Sequence, residues 1–130
     1  MAAPHYIVLA YALSDDGGLF GKTHVRLTNA LDGNLDLTVH CKSKDNDLGT
    51  HLLHLGETYE FSFGVSWIST TMFNCSFAWQ GACHMFDAYN KTRDLQNCYS
   101  NCNYNVKQSG PCRVYSSKNI KCFSWNSQNC

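Results

Sequence analysis

From Lys22 onward the chain alternates apolar and polar residues with period two, the signature of strands buried on one face. Leu35, Leu37, Val39 and Cys41 point one way, while Asp36, Thr38, His40 and Lys42 point the other. Tyr59, Phe61, Phe63 and Val65 make a second inward face, with Glu60 and Ser62 outward. Thr71, Phe73, Cys75, Phe77 and Trp79 make a third, the most aromatic of the set. Further strands are predicted at 24–28, 50–55, 84–89, 102–107, 112–115 and 122–125. Turn residues fall between these runs: Asp32-Gly33-Asn34, Leu55-Gly56-Glu57 and Gln108-Ser109-Gly110-Pro111. No stretch sustains a helical period. Many short strands at near-regular spacing predict an all-β fold, an antiparallel sandwich or barrel.

At 130 residues the chain fits one domain. The polar stretch Asp15-Asp16-Gly17-Gly18 sets off a leader, 1–21, from a body at 22–130. The ten basic residues balance the ten acidic ones, so no net field draws nucleic acid or an anionic membrane. The longest apolar run, 6–13, falls far short of the ~20 residues that span a bilayer, and no membrane insertion is expected. That run holds Ala10-Tyr11-Ala12, the small-x-small form of a signal-peptide cleavage site, but lacks a basic segment before it. It reads equally as a leading strand.

Cysteine sharpens the picture: Cys41, Cys75, Cys83, Cys98, Cys102, Cys112, Cys122 and Cys130. The number is even, and no paired CxxC knuckle occurs, the nearest approach being Cys98-x-x-x-Cys102. Disulfides in an oxidising compartment fit this better than a metal site, and neither metal nor cofactor is expected. The pairing is not readable from spacing alone. Cys41 and Cys75 lie on inward faces, where a bridge ties strands or sheets together. Two N-glycosylation triplets occur, Asn74-Cys75-Ser76 inside a predicted strand and Asn90-Lys91-Thr92 in a polar loop, the better candidate.

Two segments are candidate recognition loops, since loops on a rigid scaffold carry specificity. The first, 43–49, holds Lys44, Asp45 and Asp47. It reads as a polar turn, a recognition loop or, least well, a cation site. As a calcium loop it lacks the required glycine, Thr50 standing in its place, and no Glu closes it. The second, 89–97, holds Asn90, Lys91, Arg93 and Asp94, charges suited to fixing partner identity. Trp67 lies between strands as a possible exposed anchor, Trp79 and the phenylalanines read as core, and Trp125 is open.

A hydrolase using His40, His51, His54 or His84 as base is the enzymatic alternative. His51 and His54 are three apart on a strand and so face opposite ways. A bridged Cys41 beside His40 offers no thiolate, and no GxSxG elbow occurs. A membrane-active toxin is disfavoured by neutral charge and the lack of a basic amphipathic helix. No catalytic residue is assigned.

Between Lys22 and Trp125 several segments stand together in order. They are Val39-His40-Cys41-Lys42-Ser43-Lys44-Asp45-Asn46-Asp47-Leu48-Gly49, then Gly56-Glu57-Thr58-Tyr59-Glu60-Phe61-Ser62-Phe63. Thr70-Thr71-Met72-Phe73-Asn74-Cys75-Ser76-Phe77-Ala78-Trp79 follows, with Phe86-Asp87-Ala88-Tyr89, Arg93-Asp94, Cys98…Cys102-Asn103-Tyr104 and Gly110-Pro111-Cys112. In these the chain resembles the plant S-protein homologue family, named after the stigmatic self-incompatibility protein of poppy. The resemblance implies a secreted, disulfide-bonded β-sandwich of two antiparallel sheets with about eight strands. It also implies an extracellular signal bound by a cell-surface protein partner, as the poppy protein is recognised by pollen; a monomer is expected. The chain departs from the family pattern at Tyr104, where Trp is frequent, and at Asn74, where an aromatic is frequent. Cys83 and Cys130 look additional, either pairing with each other or leaving one for an intermolecular bond.

Overall fold

Alternation along the chain becomes two facing sheets. The structure, a computed structural model, describes residues 21–65 and 71–130. Its strands are β1 (Lys22–Asn29), β2 (Leu37–Lys42), β3 (Asp47–Leu53), β4 (Thr58–Gly64), β5 (Met72–Trp79) and β6 (Ala82–Asn90). A single helical turn, α1 (Lys91–Asp94), leads on to β7 (Asn101–Lys107), β8 (Gly110–Ser116) and β9 (Asn119–Cys122). One sheet runs β4-β1-β7-β8-β9 and the other β3-β2-β5-β6. The expected two-sheet sandwich is therefore present.

Neighbours are antiparallel with one difference: β1 and β7 run parallel, Val25 beside Cys102 and Leu27 beside Tyr104. The chain leaves β1, builds the whole second sheet and returns, and such a long crossover permits parallel pairing where a short hairpin does not. The last strand also differs from expectation, forming at Asn119–Cys122 rather than 122–125. It is the return arm of a hairpin with β8, whose register sets Cys112 opposite Cys122.

The three inward faces meet in one core. Phe61 and Phe63 from one sheet pack on Phe73 from the other, ring centres 5.0 and 4.6 Å apart, and Tyr89 meets Phe63 edge-on at 4.9 Å. Val25, Leu27, Leu37, Val39 and Phe77 are buried around them. Each such side chain contributes about 1.5–3 kcal/mol by leaving water. Burial of facing side chains holds the layers together.

The disulfides are Cys41–Cys75, Cys83–Cys130, Cys98–Cys102 and Cys112–Cys122, with no cysteine left free. Cys41–Cys75 joins paired positions of β2 and β5 inside one sheet, and Cys112–Cys122 does the same for β8 and β9. Sulfur thus staples strands within sheets rather than the two inner faces across the core. The pair Cys83–Cys130 is intramolecular, and it alone carries the chain from beyond β9 to β6 of the opposite sheet.

The tail it anchors covers an exposed strand edge. Met85 N–H donates to Ser127 O (3.2 Å), Asn126 N–H to Met85 O (2.8 Å), and Asp87 N–H to Asn126 Oδ1 (2.9 Å). A free edge invites pairing with another chain, and this one is partly filled from within. Trp125 is buried there, its indole N–H donating to Gln108 O at 2.9 Å. Gly110 explains the Gly110-Pro111-Cys112 motif: its φ is +144°, and any Cβ would collide with the Phe123 carbonyl.

Strand directions sort the connections to two ends. Lys42 pairs with Asn74 and Met72 with Asn90, so the β2–β3 turn and α1 stand at the same end of their sheet. The start of β1 and the β8–β9 turn share that end, because β1 and β7 rise in parallel from it and β8 returns to it. The β1–β2, β3–β4 and β7–β8 connections occupy the other end. Asn29, only 1% exposed, ties two of these, its side-chain amide donating to Leu35 O and Leu53 O while Oδ1 accepts from Leu31 N–H.

Candidate recognition surface

The β2–β3 connection is a tight, internally bonded turn. Ser43 N–H donates to Asn46 O at 2.8 Å and Asn46 N–H to Ser43 Oγ at 3.2 Å. Asp47 Oδ1 accepts from Gly49 N–H at 2.9 Å and lies 2.6 Å from His40 Nε2. The Gly49 amide, then the His40 side chain, holds the Asp47 carboxyl below the usual carboxylate range. Lys44 and Asp45 project outward at the tip. The turn presents fixed charges on a backbone that its own side chains constrain.

The second connection is built differently. Asn90 Oδ1 caps α1 by accepting from Thr92 N–H at 3.0 Å. Asp94, expected on the surface, is wholly buried and takes Asn90 N–H on Oδ2 at 2.9 Å. Arg93 grips both its oxygens at 2.6 Å, and Arg113 donates to Oδ1 at 2.7 Å. Arg113 also donates to the Tyr104 hydroxyl, which itself donates to Ala88 O at 2.8 Å. Phe123 receives the Arg93 and Arg113 guanidinium groups over its ring at 5.2 and 5.0 Å.

This corrects the reading of Arg93 and Asp94 as partner contacts. Two guanidinium groups and a backbone N–H converge on one carboxylate, with the Tyr104 phenol bonded to Arg113 beside them, an arrangement that makes it an internal anchor. Burial is the largest single effect on Arg93 and opposes its positive charge, but the bond to Asp94 and the charges of Tyr104 and Asp94 together outweigh it, so its pKa is raised. Burial above all pushes the Tyr104 phenol up to about 12, against the pull of Arg113, and burial does the same for Tyr89. Asn90 and Lys91 stay at the surface rim, half-buried.

The two glycosylation triplets part company. Asn74 lies within β5, and its side-chain N–H donates to Asp87 Oδ1 at 2.8 Å, so a sugar on that nitrogen would stand inside a paired sheet. Asn90 ends β6, with Thr92 exposed beyond it. Trp67 and residues 1–20 of the leader lie outside the described residues.

Among the described residues the histidines do not converge. His24 bonds Glu60 (3.0 Å), His40 bonds Asp47, and His54 bonds Asp36 (2.8 Å) on separate parts of the surface. His51 stacks on Tyr59 at 4.1 Å, and His84 stacks on Trp125 at 5.1 Å. Among the described residues no three His, Cys, Asp or Glu side chains group as metal ligands, and no helix is long and apolar enough to cross a membrane. Sequence reasoning missed Arg113 as the partner of Asp94. The available signal was an arginine at an inward position of a strand, opposite Tyr104.

Comparison with known proteins gives a consistent picture. The family model for plant self-incompatibility protein S1 matches residues 24–125. S-protein homolog 29 of Arabidopsis thaliana is 39% identical over 124 residues, 92% of this chain and 91% of that protein. S-protein homolog 5 of the same plant is 41% identical over 103 residues, 79% of this chain and 77% of that protein. One solved structure is of self-incompatibility protein homologues, described as a widespread family of small, highly stable, secreted proteins from plants. It matches with a TM-score of 0.59 at 19% identity, over 82% of this chain and 96% of that one, a likeness of fold. With its sandwich and the match running from β1 to the buried Trp125, the chain belongs to the plant self-incompatibility protein S1 family.

Proposed function

We propose that this secreted protein is a recognition ligand, bound by a cell-surface protein partner through the end that carries the β2–β3 turn and the Asn90–Lys91 corner. The observation that carries the reading is topological. Two loops that are far apart in sequence share one end, each held in shape by its own hydrogen bonds. A preorganised loop loses little entropy on binding, so its charges act through selection of the partner. Stapled strands and a buried carboxylate anchor support the same reading, since a presented surface must keep its shape outside the cell. The scattered histidines give an enzymatic reading nothing to build on.

The test is photo-crosslinking of the native protein to cell-surface extracts, alongside a Lys44→Ala/Asp45→Ala/Lys91→Ala variant. The variant is expected to fold normally and to lose the crosslinked species. Undiminished crosslinking by the folded variant refutes the assignment to this end, and no crosslinked species with the native protein refutes the recognition reading.

A further inference from the structure

Lys121 stands directly opposite Arg113 in the β8–β9 register, so the two cations share one face of their sheet. Like charges facing each other across a strand pair repel and cost stability. Phe123, two residues beyond Lys121, meets the same group: its ring has Lys121 Nζ at 5.4 Å beside the Arg113 and Arg93 guanidinium groups. It also packs on Phe86 of β6, ring centres 5.5 Å apart. Three cations thus surround one ring on the side of the sandwich where β9 of one sheet lies nearest β6 of the other.

One carboxylate answers them. Asp94 bonds both guanidinium groups and is wholly buried. Asp87, the other acid close to Arg93 in sequence, gives Arg93 its main-chain oxygen, while its carboxylate accepts from Asn74 on the outer side of the β5–β6 pair. Lys121 makes no ion pair among the described residues. Arg113 Nε is buried without a hydrogen bond. Three positive charges against one negative leave two in excess, and an aromatic ring offsets only about 0.5–2 kcal/mol for each cation.

Unused donors stand at the rim of this cluster. Lys121 is exposed, with its ammonium against nothing but the ring. Tyr115 is 41% exposed, and its hydroxyl accepts from Arg113 Nη1 at 3.3 Å, which leaves its own hydrogen available. Arg93 spends Nε and Nη2 on Asp94 and Asp87 O, and its Nη1 bonds nothing among the described residues. An ammonium, a phenol and a guanidinium edge are the donors that hold oxyanions best, through charge-assisted hydrogen bonds.

From this we infer that the cluster around Phe123 binds a divalent tetrahedral oxyanion, sulfate or phosphate, free or as a phosphate ester. Lys121, Tyr115 and Arg93 are the donors, and Arg113 adds its charge from the buried side. A dianion matches the surplus of two, which chloride or a single carboxylate does not. The site goes beyond the recognition reading and does not rest on it, since Lys44, Asp45 and Lys91 take no part.

The test titrates the isotope-labelled protein, disulfides intact, by NMR with sodium sulfate, sodium phosphate and phenyl phosphate, each against sodium chloride at equal ionic strength. Saturable shifts are expected at the amides of Tyr115, Lys121 and Phe123 and at the Arg93 side chain with the dianions and not with chloride. Lys121→Gln is expected to weaken sulfate binding by about tenfold or more and Tyr115→Phe by about threefold or more. Lys118→Gln, on the turn of the same hairpin, is expected to change it by less than about twofold, since an exposed charge outside the site is screened. An unchanged melting temperature in chloride confirms that each variant is folded.

Chloride giving the same shifts, shifts that do not saturate, or equal loss in Lys118→Gln overturns the inference, because each marks a diffuse ion atmosphere rather than a site. Full sulfate affinity in Lys121→Gln overturns it as well. Phenyl phosphate binding more tightly than inorganic phosphate identifies an ester as the source and the reverse identifies the free ion; the site stands in both cases. No readout here uses a cell-surface extract, so failure of the anion site and failure of receptor recognition are separate results.

Discussion

Asp94 and Arg113 meet at 2.7 Å with 0% and 1% of their side chains exposed. A buried ion pair is weak as a source of net stability, but removing one member leaves the other charged and dry. The two members are not equivalent here, because Arg93 also holds the carboxylate. Asp94→Ala strands two guanidinium groups and is expected to cost about 3–5 kcal/mol. Arg113→Met leaves Asp94 paired with Arg93 and costs less. Guanidinium-denaturation midpoints give the ranking, and a larger loss for Arg113→Met than for Asp94→Ala contradicts it.

The phenols beside this pair make the fold sensitive to alkali. The Tyr104 and Tyr89 hydroxyls are pushed up to about 12 by burial, whereas in the unfolded chain they ionise at the ordinary value of 10.0. Below pH 10 both states carry the proton and the stability is fully present. Between 10 and 12 the unfolded state ionises first, so stability falls as pH rises and is lost through the folded value. Linkage puts the loss at up to roughly 3 kcal/mol for each buried phenol. Absorbance at 295 nm is expected to show these tyrosines ionising together with unfolding. Tyr104→Phe removes its share of the slope but leaves Arg113 and Ala88 O each short of a partner, costing about 1–3 kcal/mol at neutral pH.

Period-two alternation made the strands and their inward faces legible, because a half-buried strand must alternate whatever it pairs with. Tyr59, Phe61, Phe63, Phe73, Cys75 and Phe77 are all buried as their positions require. Pairing partners were not legible. The parallel neighbour of β1 lies more than seventy residues away, as with Val25 and Cys102, and alternation carries no register across such a gap. The surface was half legible for a similar reason. Lys44 and Asp45 sit at a turn tip, where polar residues face water by default. Arg93 and Asp94 look the same in sequence, yet Arg113 from β8 draws Asp94 inward. A charge is placed by its partner, and the partner came from another strand.

Cys83–Cys130 closes the longest stretch of chain of any of the bridges, with a separation of 47 residues against 4 for Cys98–Cys102. Loop-closure entropy puts their contributions at about 4 and about 2 kcal/mol. Cys83→Ser/Cys130→Ser is therefore expected to lower the unfolding free energy about twice as much as Cys98→Ser/Cys102→Ser. It should also release the tail from β6. Hydrogen exchange at the amides of Met85 and Asp87, which bond to the tail, is expected to accelerate while the Cys41–Cys75 strands stay protected. Unchanged exchange at Met85 counts against the tail as an edge cover.

The two asparagine triplets differ in what their side-chain nitrogens are doing. Asn74 gives its N–H to Asp87 within a paired sheet, while Asn90 ends its strand with Thr92, the third residue of its triplet, exposed. In the Asn90 capping bond it is Oδ1 that is engaged, which leaves the nitrogen near Met72 Sδ at 3.9 Å, a weak contact that a sugar displaces at little cost. Protein made in a secretory host is expected to carry one N-linked glycan, removed by Asn90→Gln and kept in Asn74→Gln. Since Asn90 adjoins Met72 and Lys91, the glycan covers one corner of the end proposed for recognition. Enzymatic deglycosylation should then strengthen crosslinking to the cell-surface partner, and the Asn90→Gln protein should match the deglycosylated one. A glycan found on Asn74, or binding that weakens when the sugar is removed, contradicts this placement.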